Sequence, residues 1–554
     1  MKKIQTRIRA FASKTMVIGY CLLAIGMVSC SEWDDHYEGT VGMSESGSTL
    51  WEQMRADAQL SDFCEVLEQT KVYRMHQKKP VSYADILGSG QAFTVMAPLN
   101  GTFNKDSLLQ LVQTAVGDSS VEKSFVQNHL SHSLVSVTPG SARMLMLNLK
   151  RLTMADGSVD GVPVAKANTR AANGVLHTVQ KALPYNYNIY EMLCDNPQLE
   201  QTGANLRRFN EDVFDATASV SNGVVDGVPV YVDSVVYERN RLLERIGELN
   251  AEDSTYLAVV PTTDGWNEVW DEAFSYYNFE DNMEKRDSLQ QFYATSALLE
   301  DAIFNMTDQR SPQDSLISVP YLTENVSIVK GKHVYHKFPR PFDEGGILYG
   351  AEPLDCSNGT IYTTDKWPFT PEQTYFKELY VEGESTYLIT DYEKCVYNIR
   401  QVTADSISEG RYLRIAPLQA TDNWSVEFQV NNTLSGSYDV YAVILPKSVY
   451  NQTSPDQRPC KFKAAINYIG QNGKMATYNC TTSDGKTEFQ SDPQCIDTVL
   501  IAQDFKFPVC SYGQSGKRAS IKLTCSITSR QTSTYAREMY LDCIYLKPRT
   551  SKSE

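Results

Sequence analysis

Two short stretches decide the fold of residues 48–185 of this chain. Residues 93–98 read Phe-Thr-Val-Met-Ala-Pro, and residues 173–177 read Asn-Gly-Val-Leu-His. A continuous apolar run of this length predicts a buried strand, and the proline prevents its continuation. The Asn-Gly pair predicts a turn that needs a positive φ, after which the chain enters a second apolar strand.

Helical periodicity surrounds these strands. Apolar residues recur at i, i+3 and i+4 over 50–67 and again over 121–134, which predicts amphipathic helices. Asn100 is predicted to cap a helix that starts near residue 102. The segment 143–165 has the turn pattern of a hairpin, and Leu-Asn-Leu-Lys at 147–150 is interpreted as a strand.

This order of elements resembles the fasciclin (FAS1) domain. The resemblance rests on Ala-Pro-Leu-Asn at 97–100, on Asn128-His129 in the central helix, and on the closing Asn-Gly motif. It implies a FAS1 domain over 48–185 that acts as an adhesion module, with these motif residues: Asn100, His129, Asn173, Gly174 and His177. Asn128 replaces the tyrosine of the family's Tyr-His motif. We interpret His129 as structural, because its i, i+3 spacing to His132 has no third metal ligand nearby.

A divergent second copy is predicted over 186–382. Residues 256–263 (Tyr-Leu-Ala-Val-Val-Pro-Thr-Thr) match the first strand motif, and Asn358-Gly359 matches the closing motif with Tyr362 in place of histidine. An insertion near 213–246 includes an apparent hairpin around Asp226-Gly227.

The pattern changes to alternation with a period of two from residue 385 onwards. Eight or so short strands separated by turn signals predict an antiparallel sandwich or jelly roll over 384–549. Its last strand loosely resembles that of carbohydrate-binding-type jelly rolls. The expected fold class is therefore α+β, with two FAS1-like domains followed by an all-β sandwich.

The N-terminus has the features of a bacterial lipoprotein signal. Residues 1–29 combine a positive segment with a short apolar stretch, and Met-Val-Ser-Cys at 27–30 resembles a lipobox that would place lipid on Cys30. Residues 30–47 form an acidic, then Gly/Ser-rich, tether. The acidic residues after Cys30 resemble an export signal for the outer face of the outer membrane. We therefore expect a lipid-anchored, surface-exposed outer-membrane protein.

Charge and motif content exclude several functions. The chain of 554 residues has 51 Lys+Arg against 67 Asp+Glu, a formal charge of −16 that becomes −21 once the five positive charges of residues 1–29 are removed. This charge argues against nucleic acid as a partner. The sequence contains no phosphate-binding loop, nucleophile elbow or dinucleotide motif. We expect no enzyme activity, no catalytic residue, no cofactor and no metal.

The twelve cysteines leave the disulfide pattern open. Cys64 and Cys194 lie in amphipathic helical patterns and are predicted to be buried thiols. Six others lie between Cys460 and Cys543, where export would permit oxidation, but their spacing assigns no pairs.

Two further sets of residues are candidates for contact or modification. Tyrosine is abundant, with 32 residues, and suits sugar faces and protein contacts. The candidate glycan-contact aromatics are Tyr392, Tyr397, Tyr412, Trp424, Tyr438 and Tyr441. Asp-Ser/Thr pairs before an apolar residue or threonine resemble O-glycosylation acceptors and equally fit helix capping; these candidates are Ser107, Ser234, Ser254, Ser288, Ser315, Ser406 and Thr498.

Two functional hypotheses follow. The first is a non-catalytic surface lipoprotein for adhesion or binding of a protein partner. The alternative is a glycan-binding accessory protein of an outer-membrane polysaccharide uptake system, with the sandwich binding the glycan.

Overall fold

The computed structural model describes residues 47–74, 77–137, 140–225, 228–306, 314–318, 321–322, 333–334, 336–403, 407–449, 456–514 and 518–550. The chain divides into two compact units, Met1–Tyr185 and Asn186–Glu554. The signal peptide, Cys30, the tether up to residue 46, the turn at Asp226-Gly227 and Ser406 lie outside the described residues. No helix within the described ranges is long and apolar enough to cross a membrane.

The first unit combines short helices with one seven-stranded sheet. Its α-helices span Leu50–Ala56, Ser61–Gln69, Tyr83–Leu87, Lys105–Leu111 and Ala115–Val121. The strands of the sheet lie in the order Leu130–Ser131, Phe93–Pro98, Gly174–Val179, Val162–Ala171, Ser158–Val159, Arg151–Ala155 and Ser141–Leu145. The two motif strands are therefore adjacent, and they pair in parallel. A small hairpin joins Lys71–Arg74 to Gln77–Ser82.

Three local predictions for this unit were wrong. Asn100 does not cap the next helix, because a turn at Gly101 (φ +71°) delays that helix to Lys105, which Asn104 caps. The helix predicted over 121–134 ends at His129 after a π-helical turn (Glu122–Val126) and a 3₁₀ turn. Residues 147–150 form the turn of a hairpin, where Leu149 adopts a φ of +67°.

The second unit begins with the same arrangement. A four-stranded sheet has the order Ile303–Asn305, Tyr256–Pro261, Gly359–Thr364 and Glu352–Cys356, with the central pair again parallel. The α-helices span Ile189–Asp195, Glu200–Arg207, Leu243–Ile246, Thr263–Tyr276 and Arg286–Leu299. The insertion is a long hairpin of Asn210–Val225 and Val228–Asn240. Short strands at Ser315–Ile317, Tyr321–Leu322, His333–Val334 and Lys337–Pro339 pair in twos.

The C-terminal part is a sandwich of two six-stranded antiparallel sheets. One sheet contains Leu379–Glu382, Cys395–Gln401, Arg411–Pro417, Ser437–Ile444, Asp497–Lys506 and Met539–Pro548. The other contains Ile389–Glu393, Ser425–Val430, Lys461–Ile469, Met475–Asn479, Phe489–Gln490 and Ala519–Cys525. The predicted fold class, α+β with a terminal sandwich, is confirmed.

The second repeat and the sandwich share one hydrophobic core. This core extends from Ile189 through Trp266 and Phe376 to Leu546, all buried. The strand Leu379–Glu382, which the sequence placed in the second FAS1-like domain, pairs with Met539–Pro548. The hydrogen bonds of this strand assign it to the sandwich.

Candidate functional site

Asn173 and Asn358 hold equivalent positions in the two repeats. The Oδ1 of Asn173 accepts from the backbone N of Leu50 (2.7 Å), the first residue of the first helix, and the Oδ1 of Asn358 accepts from Ile189 N (2.8 Å) in the same way. Each Nδ2 donates to two backbone carbonyls at 2.8 Å, those of Leu87 and Ser89 in the first repeat and of Leu249 and Ala251 in the second. The asparagine therefore ties the first helix to the sheet.

The glycine that follows lets the closing strand approach the opening strand. Gly174 and Gly359 have φ values of +150° and +147°. A Cβ at Gly174 would lie 1.9 Å from the carbonyl oxygen of Phe93, and one at Gly359 would lie 1.8 Å from that of Tyr256. Any larger side chain would push the parallel strands apart.

The two motif histidines are also structural. His129 is fully buried; its Nδ1 lies 2.7 Å from the Phe125 carbonyl oxygen, and its Nε2 accepts from Leu183 N at 2.9 Å. This geometry requires a neutral ring, and burial lowers the pKa of His129 to about 4. Burial likewise lowers the pKa of His177, which contacts the Val135 carbonyl and Asn168 N.

Three of the predicted glycan-contact aromatics belong to the core. Tyr412, Trp424 and Tyr438 have no exposed surface, so the prediction that they contact a glycan was wrong. Tyr438 points into the core between the two sheets, whereas Tyr412 is buried on the other face of its sheet with Ile407, Leu445 and Tyr540. Trp424 lies just before a strand, and its Nε1 donates to the Arg537 carbonyl at 2.6 Å.

The remaining predicted aromatics, Tyr392, Tyr397 and Tyr441, are exposed or half-buried, and each contacts another tyrosine ring. Tyr392, 54 % exposed, makes an edge-on contact with Tyr397 at 5.1 Å. Tyr441 stacks on Tyr545 at 4.8 Å, and Tyr380 stacks on the other side of that ring at 5.7 Å. Because the rings of Tyr380, Tyr545 and Tyr441 stack on one another, few of their faces are left for a sugar to stack on.

A groove on the sandwich is a stronger candidate site than these tyrosines. It has a volume of about 770 Å³. The described residues that line it are Lys461, Tyr478, Thr481, Thr482, Ser483, Asp484, Lys486, Glu488, Phe489, Gln490, Val499, Leu500, Gln503 and Tyr535. None of these was among the predicted contact residues.

Two tyrosines and a set of polar side chains give the groove its chemistry. Tyr478, 39 % exposed, packs beside Phe505 at 5.1 Å. Tyr535 covers the ammonium of Lys461 at 5.3 Å, and its hydroxyl donates to Gln490 Oε1 at 3.4 Å. Aromatic faces beside hydroxyl and amide groups suit a ligand that presents both C–H surfaces and hydroxyls, as a sugar does.

The signal for this groove in the amino-acid sequence is weak. Tyr478 lies on the edge strand Met475–Asn479, and Tyr535 lies in a loop after the 3₁₀ turn Ser529–Gln531. The Thr/Ser/Lys-rich segment 481–488 was the available signal, because a polar loop between strands commonly carries function.

Two clusters of charged side chains are candidates for a catalytic or metal centre. Ser318 Oγ donates to Asp301 Oδ1 (3.0 Å), and His336 Nδ1 lies 2.9 Å from the same oxygen. The serine therefore contacts the carboxylate and not the imidazole, which is not the arrangement of an activated nucleophile.

The second cluster contains Asp542, whose pKa is raised to about 7 by burial and by the charges of Glu382 and Glu384. Ser408 N donates to Asp542 Oδ1 at 3.2 Å. No group of three or more potential metal-ligating side chains arranged to hold an ion occurs in the part of the chain that the structure describes.

The candidate O-glycosylation residues differ in accessibility. Ser107, Ser288 and Thr498 are exposed, whereas Ser254 and Ser315 are half-buried. Ser107 and Ser288 lie in the first turns of helices Lys105–Leu111 and Arg286–Leu299, where a preceding aspartate also suits the helix dipole. Ser234 lies on a strand, and its side chain, like Ser406, is outside the described structure. Glycosylation of all seven candidate residues remains a prediction.

Comparison with solved structures finds likenesses to both parts of the chain. A FAS1 domain pair from the insect cell adhesion molecule fasciclin I covers 60 % of this chain and 99 % of its own, at 13 % identity and a TM-score of 0.17. The match to the C-terminal family 22 carbohydrate-binding module of Clostridium thermocellum Xyn10B covers 31 % of this chain and 94 % of the module, at 10 % identity and a TM-score of 0.19. The match to a family 35 carbohydrate-binding module from Clostridium thermocellum covers 31 % of this chain and 99 % of the module, at 11 % identity and a TM-score of 0.16.

No protein-family model matches the chain, and no curated protein matches it. Function is therefore inferred from the groove itself.

Proposed function

We propose that this protein is a surface-tethered, non-catalytic binding protein whose sandwich binds extracellular polysaccharide in the groove between Tyr478 and Tyr535. The observation that carries the proposal is the groove itself, about 770 Å³ in volume and lined by two tyrosines and a majority of polar side chains. This size matches ligand sites in other proteins. Adhesion through the FAS1-like motifs is less favoured, because Asn173, His129 and His177 are buried in backbone hydrogen bonds.

A binding experiment tests the groove. The chain from residue 30 onwards, carrying Cys30→Ser to keep it soluble, would be titrated calorimetrically with a panel of plant, host and bacterial polysaccharides. Tyr478→Ala and Tyr535→Ala should each weaken the affinity about tenfold, because each removes a stacking face at the centre of the site. Tyr392→Ala is the matched control, an exposed tyrosine outside the groove, and should leave the affinity unchanged. Loss of binding in the control instead of the groove variants would contradict the proposal.

The anchor belongs to the same proposal. We expect Cys30 to carry lipid and to hold the two repeats and the sandwich at the outer face of the outer membrane. Metabolic labelling with palmitate should mark the wild-type chain and not Cys30→Ser, and protease added to intact cells should degrade the wild-type protein. Unlabelled wild-type protein, or protection from protease, would contradict the anchor or its exposure.

A further inference from the structure

The charged side chains of the groove neutralise one another. Lys461 Nζ lies 3.1 Å from Glu488 Oε2, and Lys486 Nζ lies 2.6 Å from Asp484 Oδ2. The two cations and two anions in the lining give the groove no formal net charge.

Protein groups surround the ammonium of the inner pair, Lys461–Glu488. Lys461 has an 8 % exposed side chain, and its ammonium also donates to Gln531 Oε1 (3.1 Å) beneath the Tyr535 ring. Glu488 Oε1 accepts from Ser526 Oγ at 2.6 Å, which together with Lys461 lowers the pKa of this carboxyl despite its partial desolvation. Lys461 therefore has its hydrogen-bonding directions occupied by protein groups.

The outer pair, Lys486–Asp484, is exposed, and its two charges also balance each other. Hydrogen bonds from Lys486 and Thr482 lower the pKa of Asp484 to about 2, so its carboxylate is ionised at neutral pH. A ligand carboxylate at this position would compete with Asp484 for the same ammonium. The formal charge of the whole chain, −16, adds long-range repulsion of an anionic polymer at low ionic strength.

We propose that the groove selects neutral polysaccharides and rejects uronate-rich or sulfated ones. This inference rests on the proposed function of the groove as a glycan site. A neutral chain requires only stacking faces and hydrogen-bonding groups, which the tyrosines, threonines and glutamines supply. An acidic chain would need an unpaired cation, and the two lysines of the lining are each paired.

Replacing the two carboxylates that pair with the lysines tests the proposal. The variant Asp484→Asn/Glu488→Gln keeps the shape of both side chains and leaves Lys461 and Lys486 without a carboxylate partner. Its affinity for polygalacturonate should rise by about tenfold or more at low salt and fall again as salt is added, because the positive charges of the two lysines are then no longer balanced by carboxylates in the groove. Its affinity for a neutral polysaccharide should stay within about threefold of wild type.

A matched control separates local charge from total charge. Glu352→Gln/Asp355→Asn makes the same change in net charge on an exposed strand of the second repeat and should not create polygalacturonate binding. If the wild type binds polygalacturonate more tightly than any neutral polysaccharide, selectivity for neutral chains is overturned while the glycan site stands. If the wild type binds neither class, the proposed function itself fails. A gain equal in the control and the groove variant would overturn the role of the two ion pairs.

Discussion

At the residue scale, Asn173 and Asn358 show how one side chain organises a whole repeat. Each uses its amide oxygen and nitrogen in three backbone hydrogen bonds of 2.7–2.8 Å that join the first helix, an inter-element loop and the start of the closing strand. Asn173 makes a fourth, longer one to the Gln91 carbonyl at 3.4 Å. Both side chains are almost completely buried. The motif is therefore a structural device, and sequence similarity at this motif reports the fold rather than a contact surface.

Replacing either asparagine should destabilise the repeat that contains it. Asn358→Ala removes the partner of the Ile189 amide and of the Ala251 carbonyl, and leaves the Leu249 carbonyl with the Tyr190 amide alone, which we expect to cost about 3 kcal/mol of unfolding free energy. Urea denaturation followed by circular dichroism measures the change. Asn250→Ala, at an exposed asparagine, is the control and should change the unfolding free energy by less than about 0.5 kcal/mol. Equal losses in the two variants would contradict the role given to Asn358.

His129 should make the first unit sensitive to acid. Burial lowers its folded-state pKa to about 4, whereas the unfolded chain titrates near the ordinary value of 6.5. Between these values the unfolded chain binds a proton that the folded chain excludes, so stability is complete above pH 6.5 and decreases as the pH falls towards 4. The loss should reach about 3 kcal/mol.

The comparison variant for this pH dependence is His129→Gln, which keeps a polar side chain without a titrating ring. Denaturation at several pH values should show a shallower decline for His129→Gln than for wild type, with His177 accounting for part of the remaining decline. Parallel pH profiles for the two proteins would show that His129 does not titrate on unfolding.

At the element scale, the two repeats use the same construction and differ at the end of the helix before the edge strand. Strand Leu130–Ser131 follows Asn128-His129, and the equivalent strand Ile303–Asn305 follows Asp301-Ala302. Asn128 is neutral and donates to the Pro184 carbonyl at 3.1 Å. Asp301 is a fully buried carboxylate that forms ion pairs with Lys377 and His336. The second repeat thus replaces an amide contact with an ion-pair cluster.

Removing one charge of this cluster should lower the unfolding free energy more than removing both charges of the Asp301–Lys377 pair. Burial alone raises the pKa of Asp301, and the charges of Lys377 and His336 reverse that effect. Lys377→Met should therefore cost about 3 kcal/mol, because it leaves the buried carboxylate with one partner fewer. The double variant Asp301→Asn/Lys377→Met should be closer to wild type than Lys377→Met alone, and exposed Lys506→Met should have little effect. Additive losses in denaturant unfolding would show that the two side chains are not coupled.

Element types were largely predictable, whereas element ends were not. The segments 93–98, 174–179 and 256–261 are short, mostly apolar runs next to an Asn-Gly pair or a proline. This local pattern favours a buried strand, and each segment is one. Asn100 was misjudged because its Oδ1 accepts from Asp62 N in another helix, a contact that depends on tertiary packing. The turn at 147–150 resembled a strand because alternation over four residues does not exclude a turn.

At the scale of the whole molecule, the cysteines illustrate what packing decides. Cys64 and Cys194 are buried, as predicted, and all ten described cysteines are free thiols. Cys495 is the exposed one among them, while most of the others lie in the core.

Thiol counting should reflect this distribution. In the chain from residue 30 carrying Cys30→Ser, Ellman's reagent should react rapidly with one thiol in the native state, and Cys495→Ser should abolish that fast phase. In denaturant without reductant, ten thiols should react in the parent chain. A smaller number would show that export had oxidised some of the six cysteines between Cys460 and Cys543.

The sequence by itself determined the order of the elements, the repeat and the sandwich, because hydrophobic period, Asn-Gly turns and proline stops act over a few residues. It did not determine the binding surface. Tyr412, Trp424 and Tyr438 were attractive as aromatics of the sandwich, but tertiary packing buries all three, Tyr438 between the sheets and Tyr412 in a separate cluster on the other face of its sheet. Tyr478 and Tyr535 line one candidate groove only in the folded chain, where an edge strand and a loop distant in sequence come together. The pairing of Lys461 with Glu488 likewise depends on tertiary structure, since residues far apart in the chain come within reach of each other only after the sheets have packed.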